Sequence, residues 1–507
     1  MVTAAVALGL TVLTLVTFAA LGTWYARGRI NSVEDYITAR NSTGNGMTTA
    51  TLIASGMGAW ILFSPAEAGA AFGGLTAVLG YAIGSALPLF AFIVLGPRIR
   101  KLIPEGHSIT EYTLARFGPV MYVYVLIVSI TYMFIFLAAE MTGIAGALSL
   151  VAGVPTWQTA ALVGLFVLAY TGYGGLKASI FTDTVQTLVI LPILAIGFAG
   201  ALLALGGTGE IYRTVAETSP SLLDPGFLPG IEFGAYIAVA VLAAEMLNQA
   251  WWQRIYAAKD ERTLARSFTI AAITVIPMVF LAGLFGLAAS GLGLVTTDFS
   301  AGYNADISFF LVLDAAFPEW VTLVVVILAI LLVMSTADTL FNAIASIVTA
   351  DLPLVLDDPD RGTLTNAARA LTVVVALAAI FVGAQGYSVL TIFLIADLLA
   401  AATFIPLLFG LYSTEATGAG ALGSSLFGLL VGLAYFPTLR TPLAALPVVG
   451  DLLPTASYFN SFVGAAAVSG LAILLISRVT PGSFDLGSLA RTIHQLDEVR
   501  ADGGEEQ

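Results

Sequence analysis

Apolar positions come in long unbroken blocks along this chain, not in the short periods of a soluble fold. Val120–Ala139 and Val321–Met334 each run without a charged residue. A helix of about 20 apolar residues is long enough to cross the hydrocarbon core of a bilayer. The short alternating strands of a membrane barrel are absent from the pattern. The blocks predict about thirteen membrane-spanning helices, at 3–25, 47–71, 75–97, 119–148, 157–177, 181–205, 231–256, 267–291, 319–350, 364–383, 387–411, 419–436 and 457–478. Two polar connections, 206–230 and 292–318, are longer than the rest. Ile307–Phe317 inside the second is apolar but too short to span, and is expected to lie over the outer face.

Composition agrees with this all-α polytopic reading. The 507 residues are 58% hydrophobic and 10% charged, where a soluble domain carries about 25% charge. Mean hydropathy is +0.96. The absence of cysteine excludes disulfides and thiolate chemistry. His107 falls in a loop and His494 in the tail, so neither is expected to bind metal or relay protons. A net charge of −13 with few lysines suits a high-salt cell, and no basic patch invites nucleic acid.

Charge also orients the spans. Val2–Tyr25 has no basic residue before it, while Arg27 and Arg29 follow it, which marks a retained first span with its N-terminus outside. With that orientation all 19 basic residues except Arg213 and Arg440 fall on the inner side. A multi-pass plasma-membrane protein with a cytoplasmic acidic tail, 480–507, is expected.

Six carboxylates lie within the predicted spans: Glu67, Glu140, Asp183, Glu245, Asp338 and Asp397. No basic residue is expected mid-span to pair with them. Each costs roughly 2.5–3.5 kcal/mol on insertion scales, so such a set points to a water-filled path for cations. Hydration near a span end is the competing explanation for Glu67 and Asp183. In the second span Gly56, Gly58 and Pro65 favour a broken helix, whose unwound carbonyls can coordinate an ion. Close helix packing through small residues is the competing explanation. In the ninth span Ser335, Asp338 and Thr339 share one helix face, an oxygen patch suited to a hard cation.

Four motifs together resemble the sodium:solute symporter family: Gly174-Gly175-Leu-Lys-Ala with Thr182-Asp183 and Gln186; Met334-Ser335-Thr336-Ala-Asp338; Ser108 through Gly118; and Gln253-Arg254 through Lys259. The resemblance implies a LeuT-type core of two inverted five-helix repeats, at about 47–205 and 231–411. These would be preceded by a first helix and loop (1–46), separated by an outer loop (206–230) and followed by two further helices (412–479). It implies Na+ as the coupling ion. The main site would be formed by the carbonyls of Ala54, Met57 and Leu332 with the hydroxyls of Ser335 and Thr336. It also implies a second sodium site from Asp183, Ser335, Asp338 and Thr339. Gly56, Gly58, Trp60, Glu140, Glu245 and Gln249 are the candidate solute contacts. Glu140 and Glu245 depart from the proline-carrier pattern and suggest a solute with an amine or amide. Proline, another amino acid and urea are the leading solutes.

The competing functions are a cation-translocating subunit of a respiratory or antiporter complex, and a membrane sensor on a transporter fold. The first would need mid-membrane lysine or histidine, and the second an output module that the short tail does not provide. No nucleophile–base pair or metal triad suggests an enzyme, and no protein partner is required by anything in the chain.

Overall fold

The computed structural model describes residues 3–30, 32–351, 361–446 and 449–493. His494 and the rest of the tail lie outside them. The chain runs as α1 (Ala4–Ala26), α2 (Val33–Ile37), α3 (Asn45–Gly56), α4 (Ser64–Glu67), α5 (Gly74–Leu102), α6 (Ile109–Phe117), α7 (Pro119–Ala152), α8 (Thr156–Pro192), α9 (Phe198–Ala204) and α10 (Gly207–Thr218). It continues as α11 (Leu228–Met246), α12 (Gln249–Ala257), α13 (Glu261–Gly291), α14 (Ser308–Ala316), α15 (Glu319–Asp351), α16 (Arg361–Gly383), α17 (Val389–Phe409), α18 (Gly418–Tyr435) and α19 (Tyr458–Val479).

Among the described residues, ten helical stretches are long and apolar enough on their own to cross a membrane. The thirteen expected are not reached on that count. Thr156–Ala204 is one stretch of 49 residues, about 70 Å of helix and more than twice the hydrocarbon thickness. Gly175 divides it: its φ of 54° breaks the helical path, and a Cβ there would lie 2.5 Å from the Tyr36 ring. The two arms correspond to the expected spans 157–177 and 181–205. Ala59–Leu102 likewise joins part of the second span to the third, and Arg369–Gly383 is short.

Two helices are interrupted at their centres. The first stops at Gly56. Met57 and Gly58 are extended, a 3-10 turn covers Ala59–Leu62, and α4 restarts with Pro65 in its first turn, where the missing N–H is harmless. The second interruption falls between α11 and α12. No glycine or proline marks it. Asn248 makes it instead, as an N-cap whose side chain accepts from the Ala250 N–H.

Small residues let α5 lie directly against α11. A Cβ on Gly80 would sit 2.2 Å from the Gly234 Cα, one on Gly73 2.1 Å from the Gly230 Cα, and one on Gly84 3.0 Å from the Ala238 Cα.

The face of the bundle where α1 ends is stitched by arginines. Arg40 donates to the carbonyls of Pro104 (2.7 Å) and Gly106 (3.0 Å). Arg100 donates to Ile255 (3.0 Å) and Ala258 (2.6 Å), and Arg116 to Gly410, Ser413 and Ala416. Several of these carbonyls close helices, where the ends leave acceptors unsatisfied. On the same face the buried His107 lies between Glu34 (2.8 Å) and Glu111 (3.2 Å). Burial opposes its charge, but the hydrogen bonds and charges of Glu111 and Glu34 outweigh that and push the imidazole up to about 9.

Candidate solute and cation site

The two helix breaks flank a cavity near the middle of the bundle, lined by Gly56, Trp60, Tyr81, Tyr132, Phe136, Glu245, Trp251, Phe393 and Asp397 among others. Six of these are aromatic. Trp60 and Tyr81 stack at 5.8 Å, and Phe136 meets Phe393 edge-on at 5.0 Å. No lysine, arginine or histidine is among the lining residues. Glu245 is held rigidly at the end of α11. It accepts from the Tyr132 hydroxyl (3.0 Å), the Asn248 amide (2.8 Å) and the Trp251 indole N–H. Asp397 on α17 is also buried, and its Oδ1 has no hydrogen-bond partner among the described residues. Both carboxylates line this one cavity.

Gly56, Trp60 and Glu245 thus reach the cavity, while three other solute candidates do not line it. Glu140 on α7 fills the break itself: its Oε2 accepts from the Ala59 N–H at 2.7 Å. Gly58 is glycine because that carboxylate stands where its side chain would be, with Oε1 only 2.0 Å from an added Cβ. Gln249 turns away to the arginine-stitched face. There it donates to the His107 carbonyl (2.7 Å) and Ser346 (3.2 Å) and accepts from the Ile109 N–H (3.1 Å). None of these three lines the cavity: Glu140 serves the Ala59 amide at the first break, Gln249 serves backbone groups at the start of α6, and Gly58 leaves room for the Glu140 carboxylate. Asp397, expected as a carboxylate of a cation path and not as a solute contact, lines the cavity as well, and of its aromatic walls only Trp60 was among the solute candidates.

Beside the cavity, α15 passes the end of α3. Ala54, Met57, Leu332, Ser335 and Thr336 are all buried. Thr336 Oγ1 donates back to the Leu332 carbonyl at 3.2 Å. The last carbonyls of α3 have no following turn to bond them. These are buried oxygen donors without charge, which fits a monovalent hard cation. Ser335 Oγ points to Asp183 Oδ1 at 2.5 Å.

Asp183, also fully buried, gathers further hydroxyls: Thr51 at 2.5 Å and Ser55 at 3.1 Å. Thr339 bonds Ser55 at 3.0 Å. Asp338 accepts from Ser179 (2.8 Å), Tyr170 (3.0 Å) and Thr182 (3.4 Å). The four residues expected to form a second cation patch are therefore neighbours. The expectation that no basic side chain reaches these carboxylates is overturned. Arg254 on α12 extends inward until its Nη2 lies 3.4 Å from Asp183 Oδ2. Hydration at a span end, the competing explanation for Glu67 and Asp183, suits neither, and Asp183 is as buried as Glu67. Glu67 is 2% exposed, and it accepts from Tyr303 (2.7 Å) and Ser388 (3.3 Å).

A model of the sodium:solute symporter family matches residues 36–428. The chain belongs to that family. It is therefore a polytopic membrane transporter of small solutes and not an enzyme. It is 28% identical to the spermidine transporter DUR31 of Candida albicans, across 89% of this chain and 85% of that one. It is 25% identical to the probable urea active transporter 1 of Schizosaccharomyces pombe, across 46% and 37% of the two chains. A sodium-coupled sialic acid symporter in its substrate-bound outward-open state superposes with a TM-score of 0.74 at 18% identity, covering 94% of this chain and 99% of that one. That likeness shows the fold, a LeuT-type core.

Proposed function

We propose that this symporter imports a small organic cation, an amine or polyamine, across the plasma membrane together with sodium. One observation carries the reading: Glu245 and Asp397 stand together in an aromatic cavity with no basic side chain. Two buried carboxylates are stable side by side only when a proton or a cation offsets their repulsion. An ammonium supplies that charge, and aromatic faces attract it further. The resemblance to a spermidine transporter supports the same class. Urea, uncharged, would leave the carboxylates facing each other. Proline would need a site for its own carboxylate, and the Ala59 amide at the α3 break already serves Glu140. Helix N-termini at such breaks are the natural seat for a substrate anion.

The coupling ion in this proposal is Na+, held by the carbonyls of Ala54, Met57 and Leu332 and the hydroxyls of Ser335 and Thr336. Those groups come from α3 and α15, so an ion between them ties the first broken helix to the ninth expected span. The core comprises two repeats, 47–205 and 231–411, with the N-terminus outside. Sodium and solute each favour closure over the other, and this coupling is reciprocal.

Uptake of radiolabelled spermidine, putrescine, urea and proline into proteoliposomes tests the proposal, with inward sodium or choline gradients. Sodium-driven uptake of the amines is expected, with competition among them. Uptake of proline or urea with no amine transport would overturn the solute class. Equal amine uptake in choline would overturn sodium coupling.

A further inference from the structure

We infer that Arg254 is the resident cation of the oxygen cluster around Asp183, in the place where a second sodium would bind, so that this symporter carries one sodium per solute. The inference rests on the sodium coupling proposed above.

Arg254 is fully buried. Its Nη2 donates to Thr339 Oγ1 at 2.6 Å and Ser55 Oγ at 2.9 Å, and lies 3.4 Å from Asp183 Oδ2. Its Nε donates to Thr51 Oγ1 at 3.3 Å, and its Nη1 to the Ala250 carbonyl at 3.3 Å. The same hydroxyls serve Asp183: Thr51 and Ser55 donate to its Oδ2 while they accept from the guanidinium. The result is a closed circuit of charge and hydrogen bonds drawn from α3, α8, α12 and α15.

Sodium needs several oxygen lone pairs at short range. Asp183 and Thr339, both expected ligands of a second ion, are already engaged by a group that cannot give up its proton. Ser335, the third, points its hydroxyl into Asp183 as well. Asp338 faces the other way, into the hydroxyls of Tyr170, Ser179 and Thr182. An ion placed among these groups would meet the guanidinium at close range, with little water to screen the two charges. Lysine could not replace this arrangement fully, because it has no planar fork to reach Thr51, Ser55 and Thr339 at once.

Equilibrium binding of radiolabelled sodium to the purified, solute-free protein tests the inference without needing the solute. One ion per chain is expected in the parent protein, and two would overturn it. None would overturn the sodium coupling itself, and this inference with it. Arg254→Gln removes the cation while leaving Asp183 in place. It should raise the count to two, with a sigmoidal binding curve, and Arg254→Lys should stay at one. A count of one in both the parent and a folded Arg254→Gln variant would show that the guanidinium does not stand in for an ion. If Arg254→Gln does not fold, the parent count alone decides.

Discussion

The most informative single residue is Asp397, because half of its carboxylate answers to nothing among the described residues. Replacing it with Asn changes charge and almost no shape, and removes no protein hydrogen bond from Oδ1. Losing one partner of a buried charge pair costs about 2 kcal/mol or more. The half-saturating amine concentration should therefore rise about thirtyfold or more, with the melting temperature held. An unchanged concentration in uptake assays would remove Asp397 from the solute site. Sequence identified this residue as a carboxylate out of place in hydrocarbon, but not as a ligand, since its aromatic neighbours come from α5, α7 and α12. Glu140 was misread for the same reason. Its proximity to Gly58 depends on α7 crossing the first break, a contact between residues far apart in the chain. Arg254 looked like an ordinary basic residue at a span end. A side chain of that length reaches well inside from there, and burial of its stem is normal for arginine.

Elements carry the next level of the argument. The first helix break was legible because glycine and proline mark it. The second was not, because Asn248 ends one helix and caps the next with a side-chain bond that leaves no composition signal. The division between the expected spans 157–177 and 181–205 was legible, and the positive φ of Gly175 is what makes it. The loop between α5 and α6 is fixed by His107, which joins α2 through Glu34 and α6 through Glu111. Its pKa lies above the ordinary histidine value of 6.5, at about 9. A group raised on folding stabilises fully below its unfolded pKa and loses that effect as pH climbs through the folded one. Thermal unfolding should thus show the parent protein more stable than His107→Asn at pH 6, with the gap closing between pH 7 and 10. A gap constant across that range would mean that the imidazole contributes by shape alone.

At the scale of the whole molecule, orientation is a matter of where loops end up. The native chain has no cysteine, so single cysteines report cleanly. Ser221 and Lys259 are both exposed, in connections assigned to opposite sides. An impermeant maleimide applied to right-side-out vesicles should label Ser221→Cys and spare Lys259→Cys. The reverse pattern would invert the topology. The glycine seam between α5 and α11 has a further meaning at this scale. One helix belongs to each proposed repeat, and at Gly73, Gly80 and Gly84 the two runs of chain meet backbone to backbone. Glu245 lies at the end of one of these helices, and Tyr81 on the other. Contact that close couples the two helices. A ligand that drew Glu245 by a fraction of an ångström would therefore pull on the wall carrying Tyr81 as well, passing movement from one half of the sequence to the other.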